Sequence, residues 1–212
     1  MQKLTFYTNP MSRGRIVRWM LEEVGAPYDT VLLGYDTTMK APEYLAMNPM
    51  GKVPAIRHGN TVVTEGGAIC TYLADAFPDA GLAPTPRSPD RGPYYRWMFF
   101  GAGPVEAAVT AASFGFDTKD PAAYRRAGWG NLDAVADALS GLLSDGRPHL
   151  LGEAFSAVDV YLGSQIVWGR QFSGLPDRPG FDDYIARITS RPAAVRAAEI
   201  DDALGQDGDG QA

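Results

Sequence analysis

Through residues 1–79, short apolar runs alternate with helically spaced apolar positions, the rhythm of an α/β unit. Residues 4–7 read as a strand that stops at Asn9-Pro10. From Arg13 onward Ile16, Val17, Met20, Leu21 and Val24 fall on one helical face, and Gly25 is placed to end that helix. Residues 29–33 form a second strand, and the intervening helix is long enough for a parallel βαβ crossover. After an irregular stretch, residues 52–57 and 61–64 flank His58-Gly59-Asn60 and predict an antiparallel hairpin. Glu65-Gly66-Gly67 then opens a helix with the stripe Ile69, Tyr72, Leu73, Ala76 and Phe77, ended by Pro78.

The pattern changes after residue 79. Residues 80–90 carry several prolines and read as a linker. Beyond it there is no strand alternation. Helices are predicted over residues 91–113, 121–143, 157–172, 181–189 and 192–204, several with proline near the start. The chain therefore reads as an α/β domain at 1–79 and an all-α domain at 91–204. Residues 205–212, Gly-Gln-Asp-Gly-Asp-Gly-Gln-Ala, lack an anchoring apolar side chain and predict a mobile tail.

Charge and composition narrow the chemistry. Nineteen basic residues against 25 acidic ones give a net charge of −6 over 212 residues, which argues against nucleic acid as the main partner. No run has the length of a membrane span and the N-terminus lacks a signal peptide's apolar stretch, so a cytoplasmic protein is expected. A single cysteine, Cys70, excludes an intramolecular disulfide or a Cys-x-x-Cys centre, and two histidines give no metal-ligand spacing. No metal is expected. The chemistry falls to hydroxyls, carboxylates, amides and helix ends.

Three junctions in the first domain offer those groups. Asn9-Pro10-Met11-Ser12 lies between the first strand and helix, where unpaired N–H groups would favour a thiolate or another anion; Ser12 as a plain N-cap accounts for the segment equally well. Met50-Gly51-Lys52-Val53-Pro54-Ala55 places a proline at the head of a strand. This marks an edge or a cis turn whose neighbouring backbone can pair with an extended ligand, or simply an ordinary strand start. Glu65-Gly66-Gly67 sets a carboxylate beside open helix N–H groups, fit for a ligand ammonium and carboxylate or for a flexible cap.

Together these segments resemble the glutathione transferase superfamily, particularly bacterial cytosolic members with a hydroxyl near the first helix. Gly152-Glu-Ala-Phe155-Ser156-Ala-Val-Asp159-Val160 is similar to that family's capping box and hydrophobic staple. In it Ser156 would accept from the Asp159 N–H, Asp159 would reach back to Ser156 and Phe155 would pack on Val160, each effect about 1 kcal/mol. The resemblance implies a thioredoxin-like N-terminal domain that binds glutathione, followed by an all-helical domain. It also implies a cis Pro54, Val53 pairing its backbone with the cysteinyl unit, Glu65 and Gly66 holding the γ-glutamyl end, and Lys52 facing the glycyl carboxylate. Family members usually carry Ser or Thr where Gly66 stands, which removes one hydroxyl contact.

Ser12 is the first candidate to activate the thiol, then Asn9, then Tyr7. Met11, Phe100, Phe114 and Trp168 are candidates for the electrophile pocket, with Trp97, Phe116 and Phe172 on the same aromatic stripes. Such stripes are more often core. The reading that follows is a homodimeric glutathione transferase acting on small hydrophobic electrophiles, with glutathione as co-substrate and no permanently bound cofactor. An isomerase, dehalogenase, peroxidase or disulfide reductase using the same site stays open, as does a non-catalytic carrier of hydrophobic ligands.

Overall fold

The alternation in the first domain resolves into a four-stranded sheet. Strands β1 (Leu4–Thr8), β2 (Asp29–Leu32), β3 (Ala55–His58) and β4 (Thr61–Thr64) are arranged in the order β2-β1-β3-β4. β1 pairs with β2 in parallel, across the crossover helix α1 (Gly14–Val24), whereas β3 runs antiparallel to both β1 and β4. Gly25 ends α1 in the left-handed conformation at φ 69°, and its N–H closes on the Leu21 carbonyl. Phe6, Ile56, Met20, Leu21, Ile69 and Leu73 are fully buried where α1 and α3 (Gly66–Ala76) pack on one another and on the sheet.

Residues 34–54 contain more order than their sequence predicts. Thr38–Lys40 make a 3-10 turn, and α2 (Pro42–Leu45) is a single turn with proline at its start, too short to carry a periodicity. Leu33, Met39, Tyr44 and Ala55 form a buried cluster there, with Tyr7, Met47 and Val53 packed against it. Strand β3 begins at Ala55, not residue 52, because the Val53–Pro54 peptide bond is cis and Pro54 has no N–H for the ladder.

The structure describes residues 2–116, 118, 120–172 and 174–209. These divide into two compact units, one drawn from residues up to Leu82 and from Arg191 onward, the other Ala83–Ser190. In the second unit α4 (Arg91–Phe100) runs through a π-helical stretch, Gly101–Val105, into α5 (Glu106–Ser113). Pro104 sits in that stretch and removes one ladder donor, which accounts for the widened turn. The helix expected over 121–143 is two, α6 (Pro121–Arg126) and α7 (Leu132–Leu143). Ala127 turns extended, Gly130 takes φ 69°, and Asn131 starts a new helix by accepting the Ala134 N–H at 2.8 Å.

Helices α8 (Ala157–Phe172) and α9 (Phe181–Thr189) complete this unit. Ser156 and Asp159 do reciprocate, but the Ser156 hydroxyl accepts from Val158 N–H at 3.2 Å, while Asp159 N–H donates to the Ser156 carbonyl. Asp159 also accepts from Leu150 N–H at 2.8 Å and Tyr184 hydroxyl at 2.9 Å. The Phe155 ring meets His149 edge-on at 5.5 Å.

The last helix, α10 (Pro192–Asp209), belongs with the first unit rather than with the all-helical domain of the sequence reading. Salt bridges bind it antiparallel to α1: Arg15–Asp202, Arg18–Asp201 and Glu22–Arg196, joined by Glu23–Arg191 from the residue just before it. Arg18 and Asp201 are 2% and 1% exposed, and the guanidinium also donates to Tyr28 and Thr30 hydroxyls beneath the Phe6 ring. α10 continues through Gly205 to Asp209, so the expected tail is helical at its start; residues 210–212 lie outside the described residues. Among the described residues no helix is long and apolar enough to cross a membrane.

Candidate functional site

Strand register brings the three junctions to one edge of the sheet. Tyr7 faces Ala55 across the β1–β3 ladder and Ala55 faces Thr64 across β3–β4. One step further along this row come Thr8, Pro54 and Glu65. At strand spacings near 4.8 Å these fall within about 10 Å of one another. Ser12, Asn9 and Tyr7, Lys52, Val53 and Pro54, and Glu65 and Gly66 thus share one rim.

The β1–α1 loop is internally satisfied. Asn9 donates through Nδ2 to the Leu33 carbonyl at 2.9 Å and accepts the Met11 N–H on Oδ1 at 2.9 Å. Ser12 Oγ accepts the Gly14 N–H at 2.9 Å, as a cap would, and donates its proton to the Asn9 carbonyl at 2.6 Å. Tyr35 ties the loop from outside by donating to the Met11 carbonyl at 2.7 Å. A Cβ at Gly14 would lie 1.9 Å from the Thr8 hydroxyl, so only glycine lets α1 start this close to the end of β1. The Tyr7 ring packs on Tyr44 with centroids 6.0 Å apart, and its hydroxyl bonds to no described residue.

The loop before β3 is pinned by residues to which the sequence reading gave no role. Buried Asn48 donates to the Lys52 carbonyl at 2.8 Å, and Tyr44 hydroxyl donates to the same oxygen. Burial pushes the Tyr44 phenol above its ordinary pKa. Lys40 Nζ donates to the Gly51 carbonyl at 2.8 Å. Asn48 lies two residues before the quoted motif, and its burial has no local sequence signal. The pinned loop leaves Val53 beside the cis bond, with an N–H and C=O that bond to no described residue. The Lys52 ammonium likewise has no ion pair with a described residue and is exposed.

Glu65 closes the rim. Its backbone sits at φ 68°, ψ 119°, and among non-glycine described residues it alone has positive φ. The Glu65 carbonyl accepts the Ile69 N–H at 2.9 Å, its carboxylate is exposed, and it makes no side-chain cap. The first N–H groups of α3, from Gly66 on, therefore remain open next to a free carboxylate.

The apolar candidates are more scattered. Met11 is 76% exposed on the β1–α1 loop. In the second unit Phe100 is half-buried against Trp97, with centroids 5.2 Å apart, and Trp168 is half-buried on α8. Phe114 instead lines a groove of about 610 Å³ between α5 and α6, whose described walls include neither Phe100 nor Trp168. Cys70 is fully buried and burial pushes its thiol pKa far up, which leaves it a small apolar side chain.

Residues 11–76 match the family model described as the glutathione S-transferase N-terminal domain. The chain is 28% identical to glutathione S-transferase GstA of Escherichia coli O157:H7, over 85% of this chain and 88% of that protein. It is 41% identical to glutathione S-transferase-like protein gedE of Aspergillus terreus over 40% of each chain. Among solved structures, a glutathione transferase homologue from Sulfitobacter with bound glutathione superposes at TM-score 0.74 and 28% identity, covering 94% of this chain and 98% of that one. Glutathione transferase URE2P6 of Phanerochaete chrysosporium, in complex with oxidized glutathione, superposes at TM-score 0.77 and 25% identity over 96% and 98%.

Proposed function

Because the chain belongs to the glutathione transferase superfamily, we propose that it binds glutathione at the rim of β1, β3 and α3 and joins it, through its sulfur, to small hydrophobic electrophiles. The observation that carries this reading is the unpaired Val53 backbone beside the cis Pro54, placed between the start of α1 and the start of α3. An extended tripeptide pairs its cysteinyl unit there as an added strand would. Its γ-glutamyl ammonium meets the Glu65 carboxylate and its γ-glutamyl carboxylate meets the Gly66 end of α3. Lys52 faces the glycyl carboxylate. This orientation delivers the thiol to the β1–α1 loop.

The thiol must then lose its proton to solvent. Lowering a free-thiol pKa of about 8.5 by two units takes ~2.7 kcal/mol of preferential anion stabilisation. A charge-assisted hydrogen bond of ~1.5–3 kcal/mol and a helix end of ~0.3–1 kcal/mol supply this together. In this serine-type reading Ser12 turns its proton from the Asn9 carbonyl to the sulfur while Oγ keeps the Gly14 N–H. The exchange gives up one neutral hydrogen bond, about 1 kcal/mol. Asn9 comes second, since its amide would have to release the Leu33 carbonyl. Tyr7 comes third, held by the packing of its ring. The thiolate attacks the electrophilic carbon and the leaving group departs with its electron pair. Met11, exposed on the β1–α1 loop, is the candidate electrophile contact at the rim, and the setting is a cytoplasmic homodimer with a detoxifying role.

A second reading rests on the same Ser12 hydrogen bond. If the Ser12 hydroxyl keeps donating to the Asn9 carbonyl, the rim binds glutathione without ionising it, and the protein is a carrier. Titrating glutathione at neutral pH while following the thiolate's ultraviolet absorption separates the two. The transferase reading expects micromolar-to-millimolar binding with a thiolate band, and Ser12→Ala losing at least tenfold in turnover while glutathione affinity stays within threefold. Binding without a band favours the carrier. No heat of binding overturns both.

A further inference from the structure

The backbone of Met11 and Ser12 can be accounted for group by group. Met11 donates its N–H to Asn9 Oδ1 at 2.9 Å, and its carbonyl accepts from the Tyr35 hydroxyl at 2.7 Å. The Ser12 carbonyl accepts the Arg15 N–H at 3.2 Å. Only the Ser12 N–H is left, and it bonds to no described residue. The Met11–Ser12 peptide is trans, since Val53–Pro54 is the one cis bond among the described residues, so this N–H points opposite to the Met11 carbonyl. Whatever fixes the carbonyl therefore fixes the direction of the open donor. That group is the Tyr35 hydroxyl.

Tyr35 has little else to do in the fold. It lies beyond β2, 47% exposed, and among the described residues its ring makes no aromatic or cation–π contact. A large ring left half in water, with its far end bonded to one carbonyl, adds little to a core. The segment that carries it is stiff. Met39 N–H donates to the Gly34 carbonyl at 3.1 Å, and Gly34 N–H donates to Thr38 Oγ1 at 2.8 Å. From the same segment Lys40 Nζ reaches the Gly51 carbonyl at 2.8 Å. One frame thus sets both the β1–α1 loop, through Tyr35, and the loop that presents Val53, through Lys40. We infer that Tyr35 is a positioning residue for the thiol, its hold on the Met11 carbonyl presenting the Ser12 N–H to the sulfur as a second donor beside the Ser12 hydroxyl. The N–H keeps its proton and donates a hydrogen bond to the thiolate, whose own proton has gone to solvent. The inference rests on the glutathione reading and adds to it a residue that acts through Met11.

Tyr35→Phe keeps the ring and deletes the tie. In the full chain, the thiolate absorption of bound glutathione is titrated against pH for the parent, Tyr35→Phe, Ser12→Ala and the double variant, beside steady-state kinetics with chlorodinitrobenzene. Tyr35→Phe should raise the ionisation midpoint by at least half a pH unit, about threefold in the ionisation constant. Below that midpoint kcat should fall at least threefold and recover above it, while KM for glutathione stays within threefold. The same rise should appear in the Ser12→Ala background, because the N–H is independent of the hydroxyl. A merely structural tyrosine would lower the urea midpoint and leave the ionisation midpoint where it was. An ionisation midpoint equal to the parent's overturns the proposal and leaves the glutathione reading standing. So does a rise that is absent in the Ser12→Ala background, since Tyr35 would then act on the hydroxyl alone. A Tyr35→Phe chain that circular dichroism finds unfolded also overturns it, because the tie would then hold the fold rather than aim one peptide. A parent that binds glutathione with no thiolate band removes the transferase reading and this inference with it.

Discussion

Glu65 holds a backbone conformation that side-chain sterics oppose, φ 68° with ψ 119°, and such residues cost about 1–3 kcal/mol. Among the described residues of the first unit no side-chain contact of Glu65 repays this, because the carboxylate is exposed and makes no cap. Glu65→Gly should therefore stabilise the fold by about 1 kcal/mol after glycine's own entropy cost of ~0.5–1 kcal/mol, read from urea midpoints. The same variant should weaken glutathione at least tenfold by calorimetry. Cys70 makes the opposite kind of prediction. Its folded pKa lies far above the unfolded value of about 8.5, so above that pH the unfolded chain sheds a proton that the folded chain keeps. Stability conferred below pH ~8.5 then falls with a slope of about 1.4 kcal/mol per pH unit. Comparing urea unfolding of the parent and Cys70→Ala between pH 8 and 10 isolates this slope, which should be absent in the variant. Residues of this kind divide sharply in how far sequence reveals them. Glu65 was readable as a helix-mouth carboxylate, whereas its strained backbone at the junction of β4 and α3 has no local signal.

Elements were readable where their ends carry their own chemistry. Both α8 and α9 begin and end where capping residues and periodicity place them, and α1 stops at its glycine. The helix expected over 121–143 was not, because apolar spacing continues on both sides of the Gly128-Trp129-Gly130 break and hides it. A helix end can also carry more than its own cap. Asp159 accepts from Ser156 N–H and hydroxyl, from Leu150 N–H and from Tyr184 hydroxyl, and so joins the start of α8 to the preceding loop and to α9. Burial pushes its carboxyl pKa up, and those donors are what keep an oxygen-rich group tolerable there. Asp159→Asn puts an amide N–H₂ against donors and should cost about 3 kcal/mol or more. Tyr184→Phe, which removes a single donor, should cost about 1–3 kcal/mol. Urea midpoints that leave Asp159→Asn no worse than Tyr184→Phe would refute the junction.

The chain leaves its first unit at Leu82 and re-enters it at Arg191, so the final helix completes the unit that the first strand began. Pattern along the sequence had no means of revealing this: α10 looks like one more amphipathic helix of the second half, and its partners on α1 lie 168 to 187 residues away. What settles its place is charge order. From its N-terminal end α1 presents two arginines and then two glutamates, and α10 with the residue just before it meets them in reverse with Asp202, Asp201, Arg196 and Arg191. The buried Arg18–Asp201 pair makes the arrangement obligatory, because a guanidinium stripped of its carboxylate inside the fold costs about 3–5 kcal/mol, against a total stability of ~5–15 kcal/mol. A chain ending at Ser190 should consequently lose glutathione binding and most protection from amide exchange in α1 and β1. One ending at Leu204 keeps all four ion pairs and should bind glutathione within twofold of the parent. Asp201→Asn, full length, should fall between them, weakened in urea yet able to bind. If the chain ending at Ser190 binds glutathione as the parent does, α10 is an accessory to the first unit, and the rim that holds the tripeptide is stable without it.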